Sequence, residues 1–162
     1  MRGRNRVSKN LNRIENKLPQ RKRRWLFESI KDAKNRIYFR TKKGVDVNGD
    51  RFKKYSKHPA SIRNPYSGKS QFYEKGYWEF RKKTGRSTTP NLYYTGKMFS
   101  KLQPLTVSKN RARLGFIDQK AEKKAQSNNE TREFFGLSKK DKKSIRNELK
   151  RKIRRFLRYV VR

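Results

Sequence analysis

The sequence predicts an α+β protein with a long N-terminal helix, a small antiparallel sheet or hairpin, an amphipathic C-terminal helix and an extended basic N-terminal arm. Three features predict it. Apolar residues recur at helical spacing near both ends of the chain, two short apolar runs flank Lys109-Asn110-Arg111, and Pro and Gly break the stretch between. At 162 residues the chain reads as an arm at 1–24 followed by one domain at 25–162, with a long loop at about 56–91.

In the arm, Leu11, Ile14 and Leu18 follow helical spacing, and Pro19 is expected to end that stretch or turn it. A longer helix is expected from about Arg21 to Lys43, with Leu26, Ile30, Ala33 and Ile37 on one face and Trp25 and Phe27 widening it. Gly44 stands where a helix stops, and Asn48-Gly49 favours a tight turn. Pro59, Pro65, Pro90 and three glycines make 56–91 mostly loop, with a short helix at Tyr77–Lys83. Thr95 is positioned to cap a helix through Leu102, closed by Pro104. Leu105–Ser108 and Arg113–Ile117 read as strands, Asp118 as the cap of a helix at Gln119–Ser127, and Arg132–Phe135 as a further short strand. Ser138 and Asp141 have capping-box spacing. After them Ile145, Leu149, Ile153, Phe156, Leu157 and Val160 form a stripe that is expected to pack on its own domain or on a sister subunit.

Composition narrows the function. The chain carries 48 Lys and Arg against 13 Asp and Glu, a formal charge of +35. Leu, Ile, Val and Phe make up only about a fifth of it, near the border at which chains stop folding alone. Ten Phe, eight Tyr and two Trp restore buried area. So much like charge calls for polyanions or acidic protein surfaces as partners. No apolar stretch is long enough for a transmembrane helix, and the basic start lacks the apolar stretch of a signal peptide. The absence of cysteine excludes disulfides and thiolate chemistry and fits a product made in the cytoplasm.

Catalysis finds little footing, and neither a catalytic residue, a metal site nor a cofactor is expected. The single histidine, His58, precedes Pro59 in the loop and has no local partner. Asp46, Asn48 and Asp50 imitate a calcium loop, but Arg51 and Lys57 stand where its glycine and terminal glutamate belong. Polyanion contact falls to three basic runs. They are Arg21, Lys22, Arg23 and Arg24; Arg81-Lys82-Lys83; and the last helix with Arg151, Lys152, Arg154, Arg155 and Arg158.

Four segments carry a resemblance. They are Gly44-x-Asp46-x-x-Gly49-x-x-Phe52-x-x-Tyr55-Ser56; Asn91-Leu92-x-x-Thr95-Gly96-Lys97-Met98; Gly115-Phe116; and Arg132-x-Phe134-Phe135-Gly136-Leu137-Ser138. In this order and spacing the chain resembles the virion-morphogenesis proteins of tailed phages, the tail-completion, neck and head–tail connector proteins. The resemblance covers roughly 26–150. It implies a structural subunit, made in the host cytoplasm and built into the virion. There a ring of six or twelve copies would sit at the head–tail junction between portal or adaptor and tail or neck proteins. Genomic DNA would pass through it without sequence-specific contact, and no membrane would be involved. The motif residues would then be structural, with Gly44, Gly49 and Gly96 at turns and the aromatic residues in the core. A ribosomal protein binding rRNA is the second reading: size, basicity and lack of cysteine by themselves favour it, and only the series of motifs overturns it.

Overall fold

The computed structural model describes residues 2–108 and 110–161, with side chains from residue 8 to residue 160. The chain is α+β, with helix α1 (Arg2–Lys42), hairpin β1 (Ala60–Arg63) and β2 (Ser70–Tyr73), helices α2 (Gly76–Lys83) and α3 (Lys97–Ser100), hairpin β3 (Leu102–Val107) and β4 (Ala112–Phe116), and helices α4 (Gln119–Thr131) and α5 (Lys139–Val161). Both sheets are two-stranded and antiparallel.

Helix α1 runs straight through Pro19, and the expected break does not occur. A proline inside a helix removes one backbone bond and crowds the carbonyl four residues earlier, at about 3 kcal/mol. Packing on both sides of it offsets that cost. Ile14 and Leu18 before the proline and Trp25 after it cluster with Leu149, Phe156 and Val160 of α5. The Trp25 and Phe156 rings meet edge to face at 5.7 Å. Of these, Trp25, Phe156 and Val160 are buried, and full burial of a large apolar side chain is worth roughly 1.5–3 kcal/mol. The basic segment, described from Arg2 onward, is thus helical and continuous with the helix of the domain.

α1 and α5 run antiparallel. Trp25 meets Phe156, Glu28 binds Lys152 at 2.7 Å, and Arg40 binds Asp141 at 2.6 Å. The start of α5 is a complete capping box: Asp141 N–H donates to Ser138 Oγ, and Ser138 N–H donates to Asp141 Oδ2. Of the stripe on α5, Phe156 and Val160 are buried, whereas Ile153 and Leu157 remain exposed.

The main core lies at the other end of the helix pair. Ile37, Phe52, Met98, Phe99, Leu102, Ala125 and Phe134 form it, with Tyr38, Phe116 and Leu137 packed around. On α1, Ile30, Ala33 and Ile37 are buried as the spacing requires, but Phe27 is exposed.

Three connections differ from expectation. The 56–91 stretch holds the β1–β2 hairpin, whose turn closes on Asn64: its Oδ1 accepts from Tyr66 N–H and its carbonyl from Gly68 N–H. Strands of four residues are too short to show an alternating pattern. β3 begins at Leu102 and includes Pro104, while helix α3 stops at Ser100. Proline is tolerated there because the sheet has only two strands. Lys109 of the expected β3–β4 turn lies outside the described residues. Arg132–Phe135 is not a strand, because other elements take up its backbone groups. The Glu133 carbonyl accepts from Val47 N–H, the Phe134 carbonyl accepts from the Arg40 guanidinium, and Phe135 N–H donates to Asn129 Oδ1.

Asp141 ties the capping box to α1. Burial is the largest single influence on its carboxyl and pushes the pKa up. Bonds from Ser138 and the charges of Arg40 and Arg36 together outweigh that, leaving it below the ordinary value. A depressed carboxyl adds stability above its unfolded pKa, about 3.9, and loses it as pH falls through the lower folded value. Asp141→Asn is expected to lower the unfolding free energy by about 2 kcal/mol at neutral pH. Denaturant titrations should show the two proteins converging as pH drops below about 4.

Candidate polyanion-binding surfaces

The antiparallel pairing brings two of the three basic runs to one end of the α1–α5 pair. Arg21, Arg23 and Arg24 are exposed, as are Arg151, Arg154, Arg155 and Arg158. Three predicted contacts are engaged internally: Arg24 pairs with Glu28 at 3.0 Å, and Lys152 and Lys22 have partners of their own. Lys152 is held between Glu28 at 2.7 Å and Glu148 at 3.0 Å, and Lys22 Nζ donates to Asn110 Oδ1 at 2.7 Å. The bond to Lys152 is the main reason the Glu28 carboxyl lies below its ordinary pKa. Arg23 and Arg24 rim an open groove of about 610 Å³ whose apolar wall is Phe27, Leu105 and Val107.

The third run does something else. Arg81 is 1% exposed, the largest fully buried side chain among the described residues. Its guanidinium donates to the carbonyls of Ser87 at 2.9 Å and Tyr93 at 3.1 Å and to Asn91 Oδ1 at 3.0 Å. It lies between the rings of Tyr55 and Tyr94, at 5.3 and 5.5 Å from their centroids. No carboxylate takes part. Lys82 and Lys83 are both exposed, but Lys83 is paired with Glu79 at 2.8 Å, leaving Lys82 as the member of the run at the surface without a carboxylate partner. Tyr77 packs edge-on against Tyr55 at 5.0 Å, and burial raises its hydroxyl pKa despite the opposing charge of Arg81.

The motif residues divide between this cluster and the main core around Phe52, Phe99 and Phe134. Asp46 Oδ1 accepts the N–H groups of Asn48, Gly49 and Asp50, which closes the turn. Asn91 N–H donates to Tyr55 Oη, and Asn91 Oδ1 also accepts from Tyr93 N–H. Thr95 Oγ1 accepts from Lys97 N–H, and Gly96 is the left-handed residue that opens α3. Gly115 lies beneath the Leu105 side chain, and Phe116 packs on Phe135 at 5.5 Å. Phe99 packs on Phe134 at 5.7 Å, Gly136 backs onto Val47, and Arg132 covers Tyr55 at 5.6 Å.

Sequence reasoning missed one further feature. Between the 43–57 segment and the 78–90 segment lies a cleft of about 310 Å³. Lys43, Arg51, Lys54 and Lys57 line it together with Phe52, Tyr55 and Trp78, and Thr88, Thr89 and Pro90 form its lip. Two glycines bring its walls together. Gly44 and Gly76 both have positive φ, and a Cβ would collide with the Pro90 carbonyl at the first and the His58 carbonyl at the second. Ser56 fixes the inner wall, its carbonyl accepting from Trp78 N–H and its Oγ from His58 N–H. His58 itself is exposed. The four cations are scattered over fifteen positions, each an unremarkable surface residue in the sequence, and only the fold unites them.

Among the described residues, no cluster of three or more His, Asp and Glu could hold a metal ion, and no helix is long and apolar enough to cross a membrane. Against family models, curated proteins and solved structures, the chain has no match.

Lysine keeps the charge of Arg81 but cannot reach three acceptors from between two rings. Arg81→Lys is expected to lower stability by about 3 kcal/mol. Urea unfolding would measure the loss, and hydrogen exchange should rise first within 87–94.

Proposed function

We propose that this protein is a structural subunit of a tailed-phage virion, forming a ring at the head–tail junction through which DNA passes. The observation that supports the reading is the convergence of the four motif segments. The 44–56 turn, the 91–98 segment, the end of β4 and the 132–138 segment all pack against one another around Phe52, Phe99 and Phe134. The resemblance therefore rests on a single folded unit, and its residues have structural tasks: closing turns, filling the core and capping α5.

Charge suits the same role. Among the described residues, only Arg24, Arg36, Arg40, Lys83 and Lys152 form ion pairs with acids of the chain. Six copies would carry a formal charge of about +210, which close assembly tolerates only beside DNA or acidic neighbouring proteins. A closed ring also needs a head-to-tail interface, for which the exposed Ile153 and Leu157 on α5 offer apolar area.

Quantitative mass spectrometry on gradient-purified particles tests the reading. A constant six or twelve copies per virion is expected, and one copy per ribosome with none in virions would establish the rRNA-binding alternative. Replacing Arg21, Arg23 and Arg24 with Gln should reduce the yield or DNA retention of particles, read by titre and packaged DNA. Unchanged particles would remove that end of α1 from the contact.

A further inference from the structure

We propose that the cleft between the 43–57 and 78–90 segments is a binding site for one nucleotide unit, a phosphate ester carrying a planar base. Lys43, Arg51, Lys54 and Lys57 converge on about 310 Å³ of space, and among the described residues none of them has a carboxylate partner. Four like charges around one cavity repel one another unless an anion joins them. The volume lies at the small end of the range for ligand pockets, enough for a compact organic anion.

The wall chemistry specifies which anion. Trp78 is half-buried with its ring lining the cleft, and Lys57 Nζ lies 5.1 Å and Lys82 Nζ 5.5 Å from its centroid. Tyr55 is held rigidly below by Arg81 and Arg132. Aromatic walls beside lysines suit a base and its phosphate together, because stacking and charge then act on one ligand. A bare carboxylate or inorganic phosphate would use only the charge. The walls are also preorganised. Gly44 and Gly76 permit backbone approaches that no other residue would, and the Arg81 bonds fix the 87–93 segment.

The nucleotide could be free or part of a nucleic-acid strand, and the experiment separates the two. The full-length protein is titrated at constant ionic strength with 5′-AMP, with inorganic phosphate and with a short oligothymidylate, following tryptophan fluorescence. Trp25 is buried against α5, so the response is expected from Trp78 and should vanish in Trp78→Phe. AMP should give saturable quenching at concentrations where phosphate gives none. The exposed pair Lys54→Ala/Lys57→Ala should weaken it by about tenfold or more. Lys139→Ala/Lys140→Ala, which removes equal charge at the start of α5, should change it by less than about twofold. Saturation by both ligands assigns the site to the nucleotide itself. Saturation by the strand alone assigns it to nucleic acid. Equal weakening in the two double variants, or quenching that survives Trp78→Phe, would overturn the proposal.

Discussion

The middle of this protein hangs on a buried cation without a counter-charge. Arg81 is satisfied by two backbone carbonyls, one amide oxygen and two tyrosine rings. Burying a guanidinium is costly unless every donor direction finds an acceptor, so the surrounding segments have little freedom to rearrange. That requirement turns 87–94, which has no helix or strand, into a defined structure. It also fixes Tyr55, and through Tyr55 the neighbouring wall of the cleft. A carboxylate partner would have neutralised the charge, whereas dipoles and π faces leave the region cationic.

The same economy runs through the molecule. Aliphatic residues are too few to fill the core, and aromatic pairs do much of the work: Tyr38 meets Phe99, Phe99 meets Phe134, and Phe80 stacks on Tyr94 at 5.4 Å. Acids are equally few, and several of them serve two partners. Glu28 links Arg24 to Lys152, and Asp141 joins Arg36 and Arg40 to the capping box. Each shared acid holds helices together at a point where cations would otherwise repel. Apart from the buried Arg81, the cations outside these pairs lie mostly at the exposed surface, which is how a domain with so large an excess of positive charge keeps a well-packed interior.

What could be read from the sequence was whatever local periodicity or capping dictates. The α5 capping box needs only Ser138 and Asp141 three apart, and Asp118 caps α4 through Lys120 N–H as its position requires. The buried face Ile30, Ala33 and Ile37 follows from spacing alone. Readings failed where distant residues decide. Pro19 signals a break unless one knows that α5 lies alongside. Arg132–Phe135 has strand composition, but Arg40 and Val47 claim its carbonyls. Arg81 looks like one more surface cation until Asn91 and Tyr93 are placed beside it. The basic ends of α1 and α5 were legible as charge, but the pairing of Lys152 with Glu28 was not. The cleft was invisible because its lysines are separated by turns whose geometry depends on Gly44 and Gly76.

Pro19 has an effect on how α1 comes apart. Having no N–H, it leaves the Glu15 carbonyl without its usual helical donor, so the hydrogen-bonded ladder is interrupted within the 41-residue helix. The two parts are then joined by side-chain packing more than by backbone. The part beyond residue 20 is anchored on Trp25 and the main core, while the first turns rest on Ile14 and Leu18 and carry Leu11 exposed. Pro19 is therefore a gap in the backbone ladder, and the contact of Ile14 and Leu18 with the cluster around Trp25 and Phe156 is what holds the preceding turns on α5.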